Sequence, residues 1–184
     1  MVALKNFDEI VAEIRAISTR AELILEEIPA PQKLAPFAFA MTADTEDEIA
    51  TARFVLLHDP AGQEGWAGSF RCVTFVRADV DNEMASDPIV ASVGWSWLIE
   101  ALETFNCGYL QPSGTVTRVA SSSFGTLGER EDDSEIEVRA SWTPTDASAI
   151  ADHVRAWLDL LERCAGLEPI PEGVTPLTRN NLAQ

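Results

Sequence analysis

Positive charge is scarce in this chain. The 184 residues include 13 Lys and Arg against 30 Asp and Glu, which gives a formal net charge of −17. Nucleic-acid affinity comes largely from Lys and Arg that neutralise phosphates, and anionic membrane surfaces attract basic segments. We therefore expect neither a nucleic-acid partner nor a membrane partner. The same charge favours attraction to a basic or amphipathic polypeptide.

Cysteine and histidine are also rare. The cysteines are Cys72, Cys107 and Cys164, an odd number with no Cys-x-x-Cys pair, and the histidines are His58 and His153. None of these residues has the spacing of metal ligands, so we expect no metal site. We recognise no signal peptide and no apolar run as long as a membrane span. With no disulfide framework either, these features predict a cytoplasmic protein.

No catalytic or cofactor-binding motif is recognisable. Gly62, Gly65 and Gly68 lie between two predicted strands and lack the Gly-Lys-Ser/Thr ending of a phosphate-binding loop. Residues 121–125 read Ser-Ser-Ser-Phe-Gly, without the Gly-x-Ser-x-Gly pattern of a nucleophile elbow. We therefore expect no cofactor, and the residues favour a non-enzymatic protein while leaving an enzyme open.

Hydrophobic periodicity predicts three helices and six strands. Asp87 and Pro88 are typical of the first positions of a helix, and Gly166 is typical of a helix end. The predicted helices cover residues 5–18 and 88–105 and a last segment that starts at residues 143–146. The predicted strands cover residues 22–28, 37–42, 51–58, 70–78, 115–122 and 135–142.

This order of elements, α-β-β-β-β-α-β-β-α, predicts a single α+β domain. Consecutive strands with short links pair antiparallel, so we expect a mainly antiparallel sheet of five or six strands with helices packed on one face. The domain is predicted to cover residues 1–167, and residues 168–184 are predicted to form an extended, proline-containing tail. Because the helix over residues 88–105 is apolar on two sides, we expect part of it, or an exposed face of the sheet, to be buried in a homodimer.

The candidate site lies around residues 58–71, where a strand ends in a polar, glycine-containing loop. His58 either acts as a general base with Glu64 nearby, or is a structural residue held by its own loop. Trp66 either folds back on the core or presents a binding surface. Arg71 either lines an anion pocket or pairs with acids across the sheet. Together with Trp97 of the following helix, these residues form the predicted binding set.

Five runs of sequence resemble a family of uncharacterised actinobacterial proteins, which is a domain of unknown function. The resemblance implies a single cytosolic domain and assigns no activity, so it transfers no functional residue to this chain. The runs are LEEIPAPQKLAPFAFA (25–40), LLHDPAGQEGWAGSFRCVTFVRA (56–78), DPIVASVGWSWLIEAL (87–102), GTVTRVASSSFG (114–125) and VRASWTP (138–144).

Two functions follow from these observations. The first is a non-enzymatic interaction protein, chaperone-like or an adaptor, that forms a homodimer and binds a partner polypeptide through an acidic, tryptophan-bearing surface. The second is an enzyme or small-molecule-binding domain with a pocket around residues 58–71. A concave pocket that holds His58 together with Glu64, Trp66 or Arg71 would favour the second.

Overall fold

The computed structural model describes residues 6–127, 133–171, 174 and 177–179. Its helices are α1 (Phe7–Arg15), α2 (Asn82–Ser86), α3 (Val90–Thr104) and α4 (Ile150–Cys164). Its strands are β1 (Thr19–Arg20), β2 (Leu23–Ile28), β3 (Phe37–Thr45), β4 (Ala50–His58), β5 (Phe70–Asp79), β6 (Tyr109–Ser121), β7 (Asp133–Pro144) and β8 (Thr178–Arg179).

Six strands form one antiparallel sheet in the order β2-β3-β4-β5-β7-β6. Strands β2 to β5 follow each other as neighbours, and β7 lies between β5 and β6. The predicted α+β class, the order of the main elements and the antiparallel sheet are confirmed. Strands β2 and β6 are the two edges of this sheet.

The four helices pack on one face of the sheet, which we call the inner face. The ring of Phe54 lies 5.4 Å from that of Trp157 in α4. The rings of α1 and α3 reach the same face, where Phe7 lies near His58 and Trp95 lies against Gly114. Residues of the inner face and the helices therefore build one continuous hydrophobic core.

Helix α4 is the centre of this core. Its last turn is followed by Gly166 at φ 66°, the left-handed conformation that ends a helix at little cost for glycine. Its face toward the sheet is apolar and buried, and includes Ile150, Val154, Trp157, Leu158, Leu161 and Cys164.

The opposite, outer face of the sheet carries a mixture of apolar and charged side chains. Across its middle, Thr42, Arg53, Phe75 and Arg139 stand side by side on β3, β4, β5 and β7. The guanidinium of Arg139 lies over the Phe75 ring at 4.9 Å. In the part of the chain that the structure describes, no helix covers this face.

The predicted start of the second helix was wrong by two residues. Helix α3 begins at Val90 with Ile89 as its N-cap, and Asp87 instead ends the short helix α2. The Asp87 carboxylate still accepts a hydrogen bond from the backbone N–H of Ile89 at 3.0 Å. Helix α2, β1 and β8 are additions that the sequence pattern did not predict.

The end of the chain returns to its beginning. Thr178 and Arg179 pair antiparallel with Arg20 and Thr19, so part of the predicted tail forms a two-stranded sheet with β1. Residues 172–173, 175–176 and 180–184 of that predicted tail lie outside the described residues. None of the helices that the structure describes combines the length and the apolar character needed to cross a membrane.

Candidate functional site

The loop between β4 and β5 is closed at its base and anchored along its length. The backbone N–H of Asp59 donates to the carbonyl of Ser69 at 2.8 Å. The amide of Gln63 donates to the carbonyl of Leu34 at 2.9 Å, which ties the loop to the segment before β3. The loop is therefore fixed against its neighbours rather than projecting freely.

His58 lies on the inner face, at the end of β4 and among aromatic rings. Its ring stacks on Phe70 with centroids 4.0 Å apart, and Phe7 and Phe37 lie 6.0 and 5.7 Å away. Its Nδ1 is 3.1 Å from the carbonyl of Ser69. Because a carbonyl only accepts, Nδ1 carries the proton in this contact. The local backbone contact expected of a structural histidine is thus present.

The same rings line a cavity of about 470 Å³. Phe7 and Asp8 enter it from the first turn of α1, whose capping box between Asn6 and Glu9 fixes that turn. Phe37 is 46% exposed, so one ring of the wall is open to solvent. The remaining lining residues are Asn6, His58, Pro60, Ser69, Phe70 and Ala147.

Arg71 lies on the outer face, opposite to His58. In β5 it pairs with Leu57, whereas its neighbour Phe70 pairs with His58, and successive residues of a strand point to opposite faces. Its guanidinium donates to hydroxyl groups, with Nη1 3.0 Å from Thr143 Oγ1 and Nη2 2.7 Å from Ser141 Oγ. Arg71 is only 8% exposed, and burial lowers its pKa.

Thr143 joins Arg71 to the loop. Its hydroxyl accepts from Arg71 and donates to the backbone carbonyl of Trp66 at 2.5 Å. The Trp66 side chain is half-buried, and Glu64 is exposed at the loop surface. Trp97 lies on α3, half-buried against the core.

The predicted set therefore does not form one site. Arg71 and the backbone of Trp66 meet on the outer face, while His58 lies in the aromatic cavity on the inner face. Glu64 and Trp97 do not line that cavity. The sequence analysis did not identify four residues that line the cavity with His58, namely Phe7, Asp8, Phe37 and Phe70. The pattern that could have indicated them is the occurrence of phenylalanines at the ends of the predicted elements that flank His58.

The cysteines offer no reactive nucleophile in this structure. All three are buried free thiols. Burial raises the pKa of Cys72 well above its usual value, and it raises those of Cys107 and Cys164 to about 12. The thiolate is the nucleophilic form, so these side chains are suited to packing rather than to catalysis.

A group of three acids lies away from the cavity. Carboxylate oxygens of Asp79, Asp133 and Glu135 lie within 4.8 Å of one another. Arg77 contacts two of them, Asp79 at 3.7 Å and Glu135 in a shorter hydrogen bond. The guanidinium of Arg77 therefore already supplies a positive charge to this group of acids.

Residues 3–175 match the family described as "Protein of unknown function (DUF3000)". The chain belongs to this family. No curated protein and no solved structure matches the chain. The DUF3000 description names no activity, so the geometry of this chain has to support any functional proposal, and the actinobacterial source implied by the resemblance stays a prediction.

Proposed function

We propose that this DUF3000 protein is a non-enzymatic interaction protein whose aromatic cavity holds a basic side chain of a partner polypeptide. The observation that carries the proposal is the wall of the cavity, where Phe7, Phe37, Phe70 and His58 meet and to which Asp8 also contributes. The faces of aromatic rings attract cations, and the negative charge of Asp8 in the same lining favours a cation as well.

The size and the surroundings of the cavity fit a long basic side chain. Its volume of about 470 Å³ and its open ring, Phe37, leave room for the long, flexible stem of lysine or arginine. The net charge of −17 draws basic segments toward the protein and opposes nucleic acids and anionic membranes. A cytoplasmic location belongs to the same proposal, because the three cysteines are free thiols.

The enzymatic alternative has less support. A general base needs a substrate group and a partner within hydrogen-bond reach. His58 bonds to the backbone carbonyl of Ser69, and neither Glu64 nor Arg71 lines its cavity. The cavity can thus bind. Its lining includes Ser69, but the hydrogen bond of His58 goes to the backbone carbonyl of that residue and not to its hydroxyl.

The test uses two short peptides that differ only in charge. One carries a single central arginine, and the other carries citrulline, which has nearly the same shape without the charge. Titration followed by NMR is expected to shift the resonances of Phe7, Phe37 and Phe70 with the arginine peptide only, with millimolar affinity. A lysine peptide tests whether any cation suffices.

Matched variants localise the binding. We expect each of two substitutions, Phe37→Ala and Asp8→Asn, to lower the affinity for the arginine peptide by roughly threefold. This is the effect of losing one exposed cation–aromatic or charge contact. Phe124→Ala is the control, because Phe124 is 82% exposed and lies outside the cavity. Equal binding of the citrulline peptide, or the same loss in the control variant, would refute the proposal.

A further inference from the structure

The free edge of β6, on the side away from β7, is the least protected edge of the sheet. This strand covers thirteen residues, Tyr109–Ser121, and most of them are exposed. It pairs with β7 on one side only. Among the described residues, no backbone hydrogen bond from another element reaches its other side. An exposed edge of this length presents a row of unpaired N–H and C=O groups that another strand can join.

The charge along this edge differs from that of the remaining chain. No Asp or Glu occurs between Glu103 and Glu129, which is the longest such stretch in a chain with 30 acids. The one charged side chain of β6 is that of Arg118. It turns to the inner face, where it donates to the carbonyls of Ala85 and Asp87 at 3.2 and 2.8 Å. Two copies of this protein repel each other over most of their surface but not along β6.

The opposite edge carries protection that the second half of β6 lacks, because Pro112 of β6 lies in its irregular first half. Strand β2 carries Glu26 and Glu27, and it is followed by Pro29. Edge charges and proline are the usual means by which proteins prevent pairing with another sheet. Residues 113–121 of β6 contain neither proline nor an acid, which indicates that this half of the edge is left open for a strand.

The sequence of β6 suits pairing with itself. Residues Thr115, Val116, Thr117 and Val119 are β-branched, and such side chains pack well across neighbouring strands. The shift in register between Leu110 and Ser113 limits the regular part of the strand to its second half. In an antiparallel pair about a two-fold axis, this half meets its own copy mainly through small, uncharged side chains. Its one charged side chain, Arg118, is bonded on the inner face to the carbonyls of Ala85 and Asp87.

We propose that two copies of this protein associate through the β6 edges, so that their sheets continue as one antiparallel sheet. The inference does not depend on the aromatic cavity. The strand that joins β6 is the β6 strand of a second copy, because the acid-free edge lessens the repulsion between like-charged protomers and leaves both backbone edges free. The homodimer expected from the sequence is thereby assigned to a strand rather than to α3.

The experiment introduces charged side chains at the joined edges, on both sides of the two-fold axis. The double variants T115E/T117E and T115K/T117K each place like charges on both sides of the joined edges. Analytical ultracentrifugation is expected to show a dimer for the wild type at high micromolar concentration and a monomer for each double variant. An equimolar mixture of the two variants is expected to form a heterodimer, because opposite charges then face each other.

Two controls keep the result specific. Thr126→Glu adds an acid just beyond the strand, and this variant is expected to remain dimeric. Thermal unfolding checks that the double variants stay folded, which the exposed positions Thr115 and Thr117 allow. A monomeric wild type would overturn the assignment of a second copy to this edge. Double variants that remain as dimeric as the wild type would overturn the edge itself.

Discussion

The indole N–H of Trp142 donates a hydrogen bond to Nδ1 of His153 across 2.9 Å. Both side chains are completely buried, and the bond joins β7 of the sheet to α4. Because Nδ1 accepts, the imidazole must be neutral in the folded protein. Burial lowers the pKa of His153 to about 4, and the nearby Asp152, itself paired with Arg155, only partly opposes this.

We predict that the free energy of unfolding falls as the pH decreases from the unfolded pKa of His153 toward its folded pKa. The folded pKa is depressed from 6.5 to about 4, so the unfolded state binds more protons between these values. The neutral His153 contributes its full stability above pH 6.5 and loses it progressively below. The free energy of unfolding, measured with urea, is expected to be lower at about pH 5 than at about pH 8. The contribution of His153 to this difference is roughly 2 kcal/mol.

The variant His153→Gln separates this effect from other titrations. Glutamine does not titrate, and its amide oxygen can still accept from Trp142. The carboxylates with lowered pKa, such as Glu22 and Glu27, lose their contribution only near and below their ordinary value of 4.5. If the pH dependence above pH 5 persists in the glutamine variant, His153 is not its source.

Replacing His58 by Gln is predicted to lower stability by roughly 1 kcal/mol, the usual value of an aromatic pair beyond its buried area. The amide can keep a hydrogen bond to the Ser69 carbonyl, but the stacking on Phe70 is lost. His58→Phe keeps the rings and loses the hydrogen bond. A glutamine variant with unchanged melting temperature that no longer binds the arginine peptide would show a functional rather than structural role.

Adding one methyl group at Gly114 is predicted to destabilise the protein by about 1–3 kcal/mol, the cost of overpacking. A Cβ there would lie 2.9 Å from the Trp95 ring and 3.0 Å from Cα of Ala140, and would collide with the Arg139 carbonyl. Chemical denaturation of Gly114→Ala measures this loss. In the double variant with Trp95→Leu, the loss of stability is expected to be smaller than the sum of the losses in the two single variants. Strictly additive losses would show that the Trp95 ring does not clash with the added methyl group.

Thr143→Val is predicted to loosen the loop between β4 and β5. Valine keeps the shape of threonine but removes the hydroxyl that bridges Arg71 and the Trp66 carbonyl, which leaves both without this partner. The expected loss is about 1–3 kcal/mol. Chymotrypsin, which cuts after aromatic residues, should cleave at Trp66 faster than in the wild type. Thr115→Val, at an exposed position of the outer face, is the control, and equal cleavage rates would contradict the prediction.

The alternation and periodicity of apolar residues in the sequence were sufficient to predict the fold class and the order of the main elements. Ile136, Val138, Ala140 and Trp142 alternate with polar residues, and all four are buried in β7 as that pattern predicts. The start of α3 was misplaced because Asp87 and Pro88 follow a short helix that has no periodic pattern of its own. Strands of two residues, such as β1 and β8, are too short to produce any pattern.

The candidate site was less predictable because it depends on strand register. His58 pairs with Phe70, which sends Arg71 to the other face, and a slip of one residue would have placed Arg71 beside His58. A loop of residues 59–69 leaves that register open in the sequence. The approach of Phe7 from α1 depends on how the helix packs on the sheet, which its own periodicity does not encode.

The placement of all helices on one face has a consequence for a dimer joined along β6. The two-fold axis of such an antiparallel junction stands perpendicular to the sheet, so both helix layers lie on the same side. Both aromatic cavities then lie on the same side of a single particle. A partner that carries two basic side chains at a matching distance would be held bivalently, with an avidity far above the affinity of either cavity alone.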